Sequence, residues 1–401
     1  MLRRLLGDEF DSDVRDNVTL ITASRLACST AFRFAPPFLA IIARGLHASL
    51  SEIGAALAIT EFGGLLNPLA GRLLERWSRR NAMVAGLAAV SAACIGAAMT
   101  PNLLGFAIAV AILIPANNLF VISVNSWLAE RVPYERLSRV VGVVELSWAG
   151  ALLTGVPILG LVSAVSSWRG GYVGASLFSL AMAVILFRRL PHDTAHHLAR
   201  RSAAAAAAPQ DRSWVVAALP YLLGSLLLMS AAQTAFVTFG SWLKDDFGFS
   251  TTQLSAFAFA MGIGELTASS AVVRFTDRIG KRRAMILGTA LIVPAGALLA
   301  LGLSNHLGTG LPLLIVYILG FEFAIVSSLP LATSLVPGRP STGVGLSFGA
   351  GTVARAAASV VASRLYDQHG FRAAAALGAC CAAGSCLVMS WDRRRVGAAA
   401  D

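Results

Sequence analysis

Twelve apolar stretches, each about long enough to cross a bilayer as a helix, run through the 401 residues of this chain. They read as spans 18–43, 51–72, 82–100, 103–127, 140–163, 170–187, 214–240, 251–273, 284–303, 310–335, 341–363 and 371–391. Lipid offers the backbone no hydrogen-bond partner, so such spans must be helices. With 56% hydrophobic and 13% charged residues, the chain lacks the polar surface of a soluble protein of its length. The fold class is an all-α polytopic membrane protein in two six-helix bundles. The expected units are a tail at 1–17, a first bundle at 18–187, a linker at 188–213, a second bundle at 214–391 and a tail at 392–401.

A charged motif sits twice at the same place in this order. Glu75-Arg76-Trp77-Ser78-Arg79-Arg80 follows the second span and Asp277-Arg278-Ile279-Gly280-Lys281-Arg282 follows the eighth, 202 residues later. Val141-Gly142 and Val344-Gly345 open spans five and eleven at an offset of 203. One six-span unit has been written twice, which is how many secondary transporters build a midplane site and alternate access to it.

The net charge of +11 is topology rather than a nucleic-acid footprint. With the N-terminus inside, the inner tails and loops, together with Arg72 at the inner end of span two, hold 24 of the 32 Lys and Arg, which sets both termini in the cytoplasm. Trp77, Trp127, Trp168, Trp214, Trp242 and Trp391 fall at span borders, where an amphipathic ring belongs; only Trp148 lies inside a span. The acidic stretch Asp8 to Asp16 precedes an apolar run too long for a signal h-region, so no cleavable signal is expected. The five cysteines lack metal spacing and read as small core residues. Two lysines against thirty arginines suggest a high-GC bacterial genome, hence a bacterial cytoplasmic membrane.

In its twelve spans, central loop and repeat the chain resembles the major facilitator superfamily over nearly its whole length. Gly71, Glu75, Arg76, Arg79 and Arg80 match the family's signature between spans two and three, with Glu for the usual Asp and Ser78 for the second Gly. Asp277, Arg278, Gly280, Lys281 and Arg282 match it again, with Val273 where the leading Gly would stand. The resemblance implies a cytoplasmic gate latch in which Glu75 faces the N-terminus of span eleven and Arg76 pairs with an acid such as Glu130. Gly150, Gly155, Pro157 and Gly160 approximate the span-five motif of the drug–proton antiporter branch, with Val156 interrupting it; the same small residues also suit plain helix packing. The branch's Arg-x-x-Gln-Gly motif in span four is absent.

Ionisable residues inside a bilayer are functional candidates because each costs several kcal/mol. Here they are Arg25, Arg33, Glu61, Glu145, Glu265, Glu322 and Arg355, and none falls in spans three, six, nine or twelve, the outer scaffold of the resembled fold. Arg33 precedes Pro36-Pro37 near the middle of span one and is expected to pair with Glu61 of span two. Glu322 faces Asn117 and Asn118, and Gln233 completes a polar ring that, with Arg33, is read as the substrate site. Glu61 or Glu322 is expected to exchange a proton. Glu265 and Arg355 read as a tie between neighbouring spans, and Arg25 and Glu145 as snorkelling or gate contacts.

Gly345-Leu346-Ser347-Phe348-Gly349 imitates a hydrolase elbow but lies within a span, without the strand-to-helix turn that motif needs. No Walker motif is present. The reading is therefore a non-enzymatic secondary transporter with no cofactor and no metal. Its partners are a small-molecule substrate, protons and the lipid bilayer, with no nucleic acid, and one chain suffices as a monomer. Proton-driven export of a small organic molecule is preferred, with proton symport into the cell as the alternative and a non-transporting sensor of the same fold as a further one.

Overall fold

The computed structural model describes residues 10–48, 52, 53, 56, 61–193, 199, 202, 203 and 213–397, and the described residues form helices and connecting turns without a strand. In the first half α1 (Ser12–Arg33) and α2 (Ala35–Gly45) are followed by a 3₁₀ segment, Glu61–Leu66, that leads into α3 (Asn67–Leu74). Next come α4 (Arg79–Met99), α5 (Leu103–Arg131), α6 (Leu137–Gly150), α7 (Val156–Val165) and α8 (Trp168–Arg189). The second half holds α9 (Ser213–Phe247), α10 (Thr251–Ala271), α11 (Lys281–Ala300), α12 (Leu307–Ser334), α13 (Pro340–His369) and α14 (Phe371–Gly397).

Among the described residues, ten helices are long and apolar enough to cross a membrane. The first expected span is instead two helices, divided at Phe34. Pro36 and Pro37 have no N–H to donate to the carbonyls of Phe32 and Arg33, so the helix is interrupted there. The second expected span lies partly outside the described residues. Its described part is the 3₁₀ segment and α3. The stretch read as a tail at 1–17 overlaps α1, which begins at Ser12. The expected linker at 188–213 lies mostly outside the described residues.

Proline also shapes span five. Pro157 cannot donate to Leu153, and the chain widens into a π turn over Ala151–Gly155 between α6 and α7. Elsewhere side chains close the helix starts. Asn102 accepts from the Gly105 N–H at 2.9 Å, and Ser250 with Gln253 forms a reciprocal capping box for α10.

The duplication is visible where backbones meet. A Cβ on Gly86 of α4 would lie 2.9 Å from the Phe120 N of α5, and one on Gly288 of α11 would lie 2.7 Å from the Gly320 O of α12. Gly86 and Gly288 are 202 residues apart, so both halves cross their third and fourth spans through a glycine. Two buried apolar cores result, one drawn almost entirely from the first half and one mostly from the second. The halves meet mainly along α3 against α13 and α6 against α10, with α5 and α12 behind them.

Overpacking a close backbone contact costs about 1–3 kcal/mol, and more when backbone must move. Gly320→Val should therefore lower the unfolding temperature and yield of the detergent-solubilised protein. Gly308→Ala, with nothing within 4 Å of the added carbon, should leave both unchanged in the same thermal-shift assay.

Candidate functional site

The two charged motifs lie at one end of the helix bundle, and each acid reaches into the other half. Glu75 accepts from the Thr342 N–H at 2.8 Å and from the Thr342 hydroxyl at 3.3 Å, in the first turn of α13. Asp277 accepts from the Ser138 and Arg139 N–H groups at 3.2 and 2.8 Å, in the first turn of α6. A carboxylate at a helix N-terminus meets unsatisfied N–H groups and the positive end of the dipole. Ser341 donates to Ser126 at 2.8 Å beside the first of these contacts.

Behind the acids the basic residues repeat as well. Fully buried Arg79 bonds Glu75 at 2.9 Å and Glu130 at 2.7 Å, and its Nη1 donates to the Leu74 carbonyl. Lys281, 202 residues on, bonds Asp277 at 3.0 Å and lies 4.4 Å from the Tyr134 ring. Arg80 donates to the Phe187 carbonyl at the end of α8, and Arg282 donates to the Met389 carbonyl of α14. Glu130 is thus held by Arg79 and not by Arg76, which is exposed, as is its counterpart Arg278. The chain reverses between α3 and α4 through an extended Ser78, which folds Arg79 at the start of α4 back onto Glu75 at the end of α3, whereas Arg76 is in the turn outside them.

Gly71 and Gly345 let α3 and α13 touch. A Cβ on Gly345 would fall 2.5 Å from the Asn67 O and 3.1 Å from the Gly71 Cα. At the matching place between α6 and α10, a Cβ on Gly142 would meet the Val273 side chain at 2.8 Å. Gly280 needs its glycine, since its φ is +93°, while Ser78 has φ −60° and does not.

Deeper in the bundle, charged groups from four helices converge. Arg33 at the end of α1 binds Glu265 of α10 through both carboxylate oxygens, at 2.6 and 2.9 Å. It also donates to the Trp148 carbonyl of α6 at 3.0 Å, and its guanidinium carbon lies 4.4 Å from the centre of the Trp148 ring. Arg25 lies 5.4 Å from the same ring, pairs with Glu145 at 3.3 Å and donates to Ser29 at 2.9 Å. Glu322 of α12 is buried next to Ser269 and within electrostatic reach of Glu265, Arg33 and Glu145.

This corrects three expectations. Arg33 pairs with Glu265, not with Glu61, whose side chain lies outside the described residues. The expected Glu265–Arg355 tie does not form in the described contacts, since Glu265 is taken by Arg33 while Arg355 reaches Thr352 within its own helix. Arg25 and Glu145 form a buried pair instead of snorkelling. The proposed polar ring divides into separate groups. Asn117 accepts from Cys28 at 3.2 Å and donates to Asn118 at 3.2 Å, and Asn118 donates to Asn67 at 3.1 Å. Gln233 donates to Ser359 of α13 at 2.9 Å. Gly150, Gly155 and Gly160 all face the first span, against Leu26, Thr30 and Phe38, and Pro157 sits between them at the π turn. No group of three or more His, Cys, Asp or Glu among the described residues is placed to hold a metal.

Sequence reasoning assigned no role to Trp148, Asn67 or Ser269. Trp148 had one available signal, as the single tryptophan away from a span border.

A family model described as Major Facilitator Superfamily matches residues 21–357 and 221–399. The chain is 24% identical over 261 residues to the uncharacterized MFS-type transporter YwfA of Bacillus subtilis (strain 168). That match spans 64% of this chain and 63% of the relative, so somewhat over a third of the relative's length has no counterpart in it. Among solved structures, the human organic anion transporter MFSD10 superposes with a TM-score of 0.76 at 18% identity, over 94% of this chain and 100% of that one. The proton:xylose symporter XylE gives 0.76 at 13%, over 94% and 95%. A bacterial homologue of the iron transporter ferroportin gives 0.73 at 15%, over 94% and 99%.

Removing a carboxylate that caps an opposing helix should cost the closed end about 2 kcal/mol, roughly a 30-fold change in the open-to-closed ratio. With spin labels at 76 and 339, Glu75→Ala should add a longer-distance population that the parent lacks. An unchanged distance distribution would remove Glu75 from the gate.

Proposed function

The chain belongs to the Major Facilitator Superfamily and is a membrane transporter of that type, and from that premise we propose that it exports a small organic molecule in exchange for protons. The end bearing the two charged motifs faces the cytoplasm, together with both chain termini, in a bacterial cytoplasmic membrane. A single chain with its two bundles is the working unit. The contacts of Glu75 and Asp277 hold that end shut, so the conformation described is the one in which the inner gate is closed.

One observation carries this reading. Five ionisable groups from both halves meet in one cluster, with three carboxylates (Glu145, Glu265, Glu322) against two guanidiniums (Arg25, Arg33). An unbalanced negative charge in a low-dielectric interior is costly, so the cluster favours taking up one further positive charge. A proton on Glu322 supplies it. Release of that proton when the halves re-pack is the coupling step, because the Arg33–Glu265 bond that neighbours Glu322 joins α1 of one half to α10 of the other. The solved neighbours named above are an organic anion transporter, a proton:xylose symporter and a homologue of an iron transporter, so the shared fold does not select a cargo.

Growth of an efflux-deficient bacterium across a panel of toxic compounds tests the proposal. The parent chain should confer resistance to at least one class, and Glu322→Gln at equal expression should lose it. Resistance untouched by Glu322→Gln would sink the proton role, and sensitisation by the parent would reverse the direction.

A further inference from the structure

The guanidinium of Arg33 is bound as a ligand would be. Both of its terminal nitrogens meet the two oxygens of Glu265, one of them also meets the Trp148 carbonyl, and the indole face of Trp148 lies 4.4 Å away. A bidentate carboxylate, a carbonyl acceptor and an aromatic face are the components of a receptor for a planar cation. We infer that Trp148, its carbonyl oxygen and Glu265 form the recognition site for a cationic group on the transported molecule, an amidinium, guanidinium or protonated amine, and that Arg33 occupies it as a tethered stand-in that the substrate displaces. This inference rests on the transport function proposed above and names its substrate class.

Four further features support it. Arg33 is the last residue of α1, directly before the break at Phe34, and Pro36 and Pro37 leave the Phe32 and Arg33 carbonyls without their helical donors. The side chain is therefore anchored to the one place in the first span where the backbone has slack. Arg25 differs. It is pinned by Glu145 and Ser29, and stays when Arg33 leaves.

Exposure separates the parts as well. The side chain of Arg33 is 14% exposed against 4% for Glu265, and Trp148 is only half-buried, so the occupant and the aromatic wall have an approach while the acid lies behind them. A π turn begins at Ala151, three residues after the Trp148 whose carbonyl accepts from Arg33, so the helix changes register close to this wall. The walls also come from both halves, Trp148 from α6 and Glu265 from α10, so an occupant bridges the two bodies that must move.

Charge decides the sign of the ligand. An anion placed on Arg33 would lie against Glu265, Glu322 and Glu145 and near the electron-rich face of Trp148, all of which repel it. A cation replacing Arg33 keeps the Glu265 carboxylate paired. That exchange leaves the cluster at three acids against two positive groups, so the place of the proton is untouched.

The test uses two probes of matched size and opposite charge, benzamidinium and benzoate, titrated calorimetrically into the purified full-length protein. Removing the stand-in should help a cation and harm an anion. Arg33→Ala is expected to bind benzamidinium about 10-fold more tightly than the parent or better, and adding Glu265→Gln should cancel the gain. Loss of benzamidinium binding in Arg33→Ala, benzoate binding that Arg33→Ala abolishes, or no benzamidinium binding in either protein would each overturn the inference. If Arg33→Ala does not fold, Trp148→Phe and Trp148→Leu in the parent replace it. Phe should retain benzamidinium affinity and Leu should lose about 10-fold, and equal affinities would overturn the inference. Glu322-dependent resistance that persists without benzamidinium binding would leave the transport reading standing and remove the cation receptor alone.

Discussion

Burying ionised groups among lipid-facing helices is the constraint from which the rest of the site follows. Each charge in the bundle must find an opposite charge, a carbonyl or an aromatic face before it meets hydrocarbon. Arg25 and Arg33 satisfy this by sharing Trp148 between them and dividing Glu145 and Glu265. Because Glu265 belongs to the second half, solving the electrostatic problem of Arg33 also joins the halves. Glu322 is then left beside charges that already have partners.

The motif-bearing end solves a different problem with different chemistry. There the helices begin, and their first N–H groups lack partners within the helix. Glu75 and Asp277 supply those partners from the opposing half, so one carboxylate both caps a helix and closes a seam. Arg79 and Lys281 hold the two acids from behind by i to i+4 pairing. Arg80 and Arg282 bind the Phe187 carbonyl of α8 and the Met389 carbonyl of α14, again 202 residues apart. The repetition of every one of these roles at an offset of 202 residues is physical evidence for duplication, beyond likeness of letters.

The helical fold and its repeat were legible because they rest on periodic, local signals: span-length apolar runs, border tryptophans and a motif written twice. Two of the expected spans are the exception, one broken by Pro36-Pro37 and one only partly described. The residues of the site were legible too, since charges within spans stand out. Their pairing was not. Consecutive helices of a hairpin are neighbours, which points Arg33 towards Glu61, but its partner comes from 232 residues away in the other half. Sequence adjacency carries no information about which helices face each other across a pseudo-twofold seam. Trp148 was similarly visible as an anomaly, yet its part as a shared cation platform depends on two arginines eight residues apart on α1 meeting one ring.

Gly71 and Val273 occupy equivalent places in the two halves, and the difference between them has a mechanical result. Where Gly71 faces Gly345 the seam is backbone against backbone, with no rotamer to adjust, so this contact is either fully made or fully lost. Where Val273 faces Gly142 a Cβ on the glycine would meet the isopropyl group at 2.8 Å and the Val273 N at 3.2 Å, so a side chain as well as backbone makes that contact. The seam therefore behaves as a door with a catch on one side and a cushioned hinge on the other. Two halves descended from one sequence need not part in a symmetric way.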